Sequence, residues 1–201
     1  MMKILPRPQK MQRSEGVFAL SLESRIVLDG GARGEWLCAQ QLQAEIRKFA
    51  GLQLDILCGE AREGDIVLAV LGGSPEGYRL EITTCNAALA GNDATGLFYA
   101  VQTLRQIIRQ SGCMLPAMTI TDEPVFPHRG FYHDVTRGRT PTLAWLRHLV
   151  DEASFYKLNQ LQLYIEHTYL FRDLTELWGA GEPLTAQEIM ELDEYCRQRH
   201  V

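Results

Sequence analysis

The sequence predicts an α+β domain, with two helices on one face of a mixed sheet, followed by a segment in which strand and helix alternate. Three observations support this: strand-like and helical hydrophobic periods mix irregularly before Pro124, a βαβα order begins at Phe126, and the change falls on a proline-containing linker. We therefore expect two domains, at residues 1–124 and 125–201.

The first domain begins with a predicted strand at Arg25–Leu28, which a glycine-rich turn closes. A helix is predicted between about residues 34 and 50, because Leu42, Ile46 and Phe49 recur on one helical face. A single apolar stripe of this kind indicates a helix that covers a sheet.

Three strand-like runs come next, at residues 54–58, 65–71 and 78–84, and turns that contain glycine separate them. A second amphipathic helix is predicted after Asp93, ending near Gln110. The order strand, helix, three strands, helix is typical of an α+β domain with both helices on one face.

The second domain has predicted strands at residues 129–135 and 160–166. A helix is predicted between them, with Thr140 as N-cap and Pro141 in the first helical position. A capping box at residues 185–188 predicts the start of another helix. This βαβα order is the unit of a parallel α/β sheet or of a (β/α)8 barrel. A complete barrel takes roughly 250 residues, so only about two of its eight units fit. We expect a truncated barrel.

Composition excludes several classes of function. The formal net charge of -5 and the scattered Lys and Arg residues give no surface for nucleic acid. No apolar run approaches the roughly 20 residues of a membrane span, and no signal peptide is recognisable, so a cytoplasmic location is expected. The five cysteines are odd in number and lack a C-x-x-C pair, which predicts reduced, mostly buried thiols and no metal site.

Four collinear segments carry a resemblance to a known family. Residues 126–137 (FPHRGFYHDVTR) resemble the first barrel strand of family 20 glycoside hydrolases, the β-N-acetylhexosaminidase-like enzymes, and residues 155–163 (FYKLNQLQL) are similar to the run into their second strand. Residues 94–104 and 116–122 look like the last helix and exit strand of the accessory domain of that family. The resemblance favours the barrel over the open sheet.

The resemblance implies a retaining hydrolysis in which the 2-acetamido oxygen of the substrate attacks the anomeric carbon. Such enzymes carry an adjacent Asp-Glu pair on a later barrel strand, so we expect no catalytic residue within this chain, and no activity from it alone. The Asp-Glu pairs at 122–123 and 151–152 are predicted to be solvated and not catalytic. The implied chemistry requires no cofactor.

The same resemblance makes Arg129 the substrate-binding arginine, whose rigid fork suits paired sugar oxygens. The alternative is an ion pair at the barrel floor. Asp134, Glu166, His167 and Trp178 are candidates for the rim of the pocket, as is Arg137 from the same motif as Asp134. For Asp134 and Arg137 the alternative is a buried ion pair that fixes the end of the strand. Glu166 and His167 stand where many members of the family carry an acidic pair. This departure leaves open which glycoside is the substrate.

Three hypotheses follow. In the first, the parent protein is a hexosaminidase that acts on glycans containing N-acetylhexosamine, and the remainder of its barrel is the partner of this segment. In the second, the chain is a non-catalytic scaffold or interaction module that dimerises through the open edge of the barrel. In the third, it belongs to a divergent branch that acts on another glycoside.

Overall fold

The computed structural model describes residues 2–32, 34–174, 176 and 182–201, which fall into two compact units, Met1–Val125 and Phe126–Val201. The first unit contains β1 (Lys10–Ala19), β2 (Arg25–Leu28), α1 (Trp36–Ala50), β3 (Asp55–Cys58), β4 (Ile66–Val70), β5 (Tyr78–Ile82), β6 (Ala87–Gly91), α2 (Ala94–Ser111) and β7 (Met114–Asp122). The second contains β8 (Gly130–Asp134), α3 (Leu143–Phe155), β9 (Gln160–Tyr164) and α4 (Ala186–Arg197).

The first unit is built on one seven-stranded mixed sheet with the order β1-β7-β5-β6-β4-β2-β3. The pairs β2–β3, β2–β4 and β4–β6 are parallel, while β5 runs antiparallel to both β6 and β7, and β1 runs antiparallel to β7. The mixed sheet with helices confirms the α+β prediction for this part of the chain.

Helices α1 and α2 pack against each other and against the strands. The α2 stripe of Leu97, Val101, Leu104 and Ile108 is fully buried, as its period predicts. Glu45 of α1, only 4% exposed, lies within 2.7 Å of Arg105 and 2.5 Å of Arg109, both on α2. An unpaired carboxylate at this depth would be costly, so the two guanidinium groups hold the helix pair in register.

Two strands of the sheet were not predicted. In β6 the sequence AALAG lacks the large β-branched and aromatic residues that mark a strand, and its glycine is required because a Cβ on Gly91 would lie 2.1 Å from the Leu97 nitrogen. In β1 only one of ten residues is buried, so no apolar alternation is visible. A polar edge strand lacks the apolar alternation by which a strand is recognised in a sequence.

Two further predictions were wrong. Helix α3 begins at Leu143 with Thr142 as its N-cap, whose side chain accepts a hydrogen bond from the Trp145 N–H at 3.3 Å; Thr140 and Pro141 precede the helix. The cysteines are all free, but only Cys38 is buried, because the others lie on edge strands, turns and partly covered surfaces.

In the second unit, β8 and β9 pair in parallel, with Gly130 opposite Gln160 and Asp134 opposite Tyr164. A small apolar core joins this sheet to α3 and α4: its buried members are Val135, Leu146, Val150, Leu184 and Leu192. Trp145 packs against His133 with ring centroids 4.9 Å apart. The predicted capping box of α4 is present, with Thr185 and Glu188 each bonding to the backbone N–H of the other.

Neither unit offers a membrane-crossing helix within the residues described, since none is both long and apolar enough. Over the same residues, no three or more His, Cys, Asp or Glu side chains are grouped so that they could hold a metal ion.

Candidate functional site

Three of the predicted rim residues, Asp134, Glu166 and His167, lie where β8 and β9 end side by side. Because side chains alternate along a strand, Asp134 shares one face of this two-stranded sheet with Tyr132, and the paired Tyr164 shares it with Gln162. The opposite face carries Leu161 and its apolar neighbours toward the small core of this unit. The face with the polar groups is therefore the one available for chemistry.

Asp134 and Arg137 form a tight turn at the end of β8. One Asp134 carboxylate oxygen accepts hydrogen bonds from the backbone N–H groups of Thr136 at 2.9 Å and Arg137 at 3.2 Å, and the other lies 3.2 Å from the Arg137 guanidinium. The Thr136 hydrogen bond, followed by that from Arg137 and its positive charge, lowers the pKa of Asp134 below its ordinary value. Asp134 is thus a fixed carboxylate at neutral pH.

Glu166 is held from two sides. The Tyr164 hydroxyl donates a hydrogen bond to the Glu166 carboxylate, and the Arg137 guanidinium lies 3.8 Å from the same oxygen. Arg137 also sits over the Tyr164 ring, 5.1 Å from its centroid. The hydrogen bond to Glu166, with smaller contributions from burial and from the Glu166 charge, raises the pKa of Tyr164. The phenol therefore stays protonated as a donor.

A buried hydroxyl pair lies beneath this cluster. Thr136 Oγ1 accepts the backbone N–H of Glu166 at 2.9 Å and lies 3.4 Å from Thr168 Oγ1. Both threonines are more than nine-tenths buried. His167 is exposed and lines a separate cavity beside these hydroxyls. Glu166 and His167, adjacent in the segment that follows β9, thus have different surroundings.

Arg129 lies at the other end of β8. Its backbone N–H donates to the side-chain oxygen of Asn159 at 2.8 Å, and its guanidinium donates to the carbonyl oxygens of Lys157 at 2.9 Å and Phe126 at 2.8 Å. Asp134 lies five positions further along the chain, about 16 Å away at the usual rise per residue of a strand. The structure therefore does not bring Arg129 into the cluster, and its role in substrate binding stays a prediction.

In the two Asp-Glu pairs, Glu123 and Glu152 are exposed, as predicted, while the two aspartates are half-buried and have structural partners. Asp122 accepts hydrogen bonds from the Tyr78 hydroxyl and the Gln9 N–H, both at 3.0 Å. Asp151 accepts the Tyr195 hydroxyl at 2.8 Å and the Arg199 guanidinium at 2.6 Å, because the polar side of α3 packs on α4. Both carboxylates are occupied by structural partners.

Three members of the cluster were missed by the sequence analysis: Tyr164, Thr136 and Thr168. The period of two offered a signal for Tyr164, which precedes Glu166 by two positions in the strand predicted at residues 160–166, although β9 itself ends at Tyr164. The threonines gave none, since their hydroxyls meet only through the pairing of β8 with β9. Trp178, the predicted sugar platform, lies outside the described residues.

Comparison with known proteins places the chain in a family of enzymes. Residues 1–123 match the family model described as glycosyl hydrolase family 20, domain 2, which covers more than half of the 201 residues. The chain belongs to glycosyl hydrolase family 20. The predicted resemblance is confirmed, and the first unit is the α+β domain of this family.

Similar proteins and solved structures agree with this family assignment. A β-hexosaminidase of Akkermansia muciniphila is 32% identical over 147 residues, which are 63% of this chain and 30% of that protein. A β-hexosaminidase of Vibrio furnissii is 26% identical over 94% of this chain and 31% of its own length. The β-N-acetylhexosaminidase structure from Streptomyces coelicolor has the same fold, with a TM-score of 0.84, 23% identity and coverage of 98% of this chain and 44% of its own. The chain thus spans about a third of the length of these curated relatives.

Proposed function

We propose that this chain is part of a glycoside hydrolase of the β-N-acetylhexosaminidase type, which removes terminal N-acetylhexosamine from glycans. The observation that carries the proposal is the family match over residues 1–123, together with relatives that are named β-hexosaminidases. In this reaction the acetamido oxygen of the substrate attacks the anomeric carbon while an acid protonates the leaving oxygen. The acid and the neighbouring Asp that orients the acetamide come from polypeptide after residue 201.

The second unit supplies the first two βα units of a (β/α)8 barrel, with the domain boundary at residues 124–125. Three features support this proposal: β8 and β9 are parallel, each is followed by a helix, and the similarity to the Streptomyces coelicolor fold extends over 98% of the chain. Barrel enzymes keep their active sites at the carboxyl ends of the strands. Asp134 and Glu166 occupy that end.

The cluster is suited to holding a neutral sugar. Arg137 carries one positive charge between the carboxylates of Asp134 and Glu166, so the outer oxygen atoms of both remain acceptors for sugar hydroxyls. Tyr132 and Tyr164, with ring centroids 6.0 Å apart, provide apolar surface on the same sheet face. A sugar ring presents hydroxyl groups at its edges, which need hydrogen-bond partners, and an apolar face, which packs against aromatic rings.

Arg129 is proposed as a further substrate contact on the strength of its motif, FPHRG. In this chain the guanidinium donates to carbonyl oxygens, so a sugar would have to compete with these bonds or share the remaining donors. The experiment must therefore separate a loss of binding from a loss of stability.

The test is the hydrolysis of p-nitrophenyl N-acetyl-β-glucosaminide by this chain, by a protein extended through the rest of the barrel, and by the Arg129→Ala and Arg13→Ala variants of the longer protein. We expect activity only from the longer protein, its loss in Arg129→Ala with the melting temperature tracked in parallel, and no change in Arg13→Ala, where an exposed arginine of β1 is removed. Activity of the 201-residue chain alone would place the acid within it and refute the proposal.

A second candidate is a non-catalytic scaffold, or a branch that acts on another glycoside. The presence of Glu166 and His167 in place of an acidic pair favours it. A longer protein that cleaves no N-acetylhexosaminide, cleaves another sugar, or dimerises through the free edges of β8 and β9 would move this candidate ahead.

A further inference from the structure

The loops after β8 and β9 border a cavity of about 250 Å³ that lies beside the Asp134 and Glu166 carboxylates of the proposed sugar site and shares Thr136 and Thr168 with it. The residues that line it are Thr136, Gly138, Arg139, Thr140, His167, Thr168 and Pro183. All belong to the second unit. The cavity is large enough for several water molecules or for one small ion with part of its carrier.

The lining is cationic. Arg139 and His167 both border the cavity, and no carboxylate does so among the described lining residues. Neither side chain has a hydrogen bond or an ion pair within the part of the chain that the structure describes. Arg137, only two residues before Arg139, is by contrast engaged with Asp134 and Glu166. The two arginines of this loop thus have different roles, and the one at the cavity has its donors available.

A buried hydroxyl lies on the cavity wall. Thr168 is 5% exposed, and the contact of its hydroxyl within the described residues is a long one, 3.4 Å to Thr136 Oγ1. Thr136 Oγ1 already accepts the Glu166 N–H at 2.9 Å, so its own proton can go to Thr168 or to the Tyr164 carbonyl. Within the described residues, Thr168 can donate across this long contact to Thr136 Oγ1, and a ligand oxygen in the cavity would accept a shorter hydrogen bond from it.

We propose that this cavity binds a tetrahedral oxyanion, the phosphate or sulfate class. An arginine fork, an imidazole N–H and a threonine hydroxyl are all donors, and an oxyanion presents only acceptors to them. A neutral sugar hydroxyl would need an acceptor as well as donors, and the cationic lining lacks a carboxylate to provide one. The anion can come from solution, or it can be an ester group carried by a sugar.

The test is titration of the full 201-residue chain with inorganic phosphate by calorimetry, with amide chemical shifts followed by NMR. We expect saturable binding that shifts the amides of Gly138, His167 and Thr168. Arg139→Gln and Thr168→Val should each weaken binding about tenfold, because each removes a hydrogen bond to a charged group. Arg13→Gln, which removes an equal charge from β1 in the other unit, should leave the affinity unchanged.

Absence of saturable phosphate binding would overturn the proposal. Binding that survives both Arg139→Gln and Thr168→Val would also overturn it, because the ion would then sit elsewhere. Arg139 is exposed, so its variant should fold even where the buried Thr168→Val does not.

Titrations with N-acetylglucosamine 6-phosphate and with plain N-acetylglucosamine distinguish the two sources. Tighter binding of the ester than of phosphate assigns the cavity to a sugar-borne anion, and equal binding assigns it to the free ion. Since the measurement is one of binding, its outcome is independent of whether the longer protein hydrolyses hexosaminides.

Discussion

The hydroxyl of Tyr164 donates a hydrogen bond to the carboxylate of Glu166, two residues further along the same chain. Tyr164 is the last residue of β9, Glu166 lies just after it, and Arg137 contacts both side chains. This contact makes the pKa of Tyr164 depend on the charge of Glu166.

The first prediction concerns that dependence. Replacement Glu166→Gln removes the negative charge and the strong acceptor, which are what raise the pKa of Tyr164. The pKa of Tyr164 should therefore fall toward its ordinary value, which the NMR shift of its ring carbon as a function of pH would show. Glu152→Gln, an exposed glutamate on α3, is the matched control. An unchanged Tyr164 titration in Glu166→Gln would mean that the two groups do not interact in solution.

The second prediction concerns acid stability of the first unit. Asp65 is fully buried and accepts hydrogen bonds from the Arg25 guanidinium at 2.6 and 3.0 Å and from the Arg62 N–H at 2.8 Å. Burial alone would raise the pKa of this carboxyl, but the bonds from Arg25 and Arg62 and their charges outweigh it, so the pKa is lowered. A carboxyl with a lowered folded pKa stabilises the protein above its unfolded pKa of about 3.9, and that contribution is lost as the pH falls through the folded value.

Replacement Asp65→Asn should therefore cost about 3 kcal/mol of unfolding free energy at neutral pH, because a buried pair loses one partner. The deficit should shrink as the pH falls below 4, as urea unfolding at a series of pH values would show. Asp55→Asn, at an exposed position of β3, serves as control. A deficit that does not depend on pH would contradict the assigned ion pair.

The elements that could be predicted from the sequence differ physically from those that could not. Helix α2 was predictable because its N-cap Asp93, its apolar stripe and its end at Gly112 are all local signals. Strand β6 was not, since it lacks the large residues that mark a strand and its Gly91 is required by the close approach of Leu97, a tertiary contact. Local chemistry is visible in a sequence, whereas close packing against a distant segment is not.

The site divides in the same way. Glu166 and His167 were predictable as residues at the end of a strand, but the partners that fix Glu166 depend on the pairing of β8 with β9. A shift of one residue in that register would move the Tyr164 side chain to the other face of the sheet and break its contact with Glu166. Arg129 was chosen from its motif, and no local rule predicts that its guanidinium bonds to backbone carbonyl groups.

The third prediction tests where α3 begins. Thr142 accepts the Trp145 N–H as N-cap, so Thr142→Ala should lower the unfolding free energy by about 1 kcal/mol. Thr140→Ala, two residues earlier, should change it by less than about 0.5 kcal/mol. Chemical denaturation of the two variants measures both values. The opposite ranking would place the cap at Thr140, as the sequence first suggested.

The fourth prediction concerns a glycine inside a helix. On helix propensity alone, Gly96→Ala should stabilise α2 by up to about 1 kcal/mol. The structure predicts the opposite, because a Cβ on Gly96 would lie 2.1 Å from the carbonyl oxygen of Gly77 and 3.0 Å from its carbonyl carbon. Backbone atoms cannot move aside as a flexible side chain can, so the helix or the turn that contains Gly77 must shift. Overpacking of this kind should cost about 2 kcal/mol net.

Urea unfolding of Gly96→Ala against Gly34→Ala provides the measurement. A Cβ on Gly34 would have no described atom within 4 Å, and Gly34 has no left-handed φ, so its substitution should be nearly neutral. A stabilised Gly96→Ala would show that α2 and the turn at Gly77 are further apart in solution than in the structure. A loss confined to Gly96→Ala would establish that this close approach, and not the freedom of the glycine backbone, is why α2 carries a glycine in its first turn.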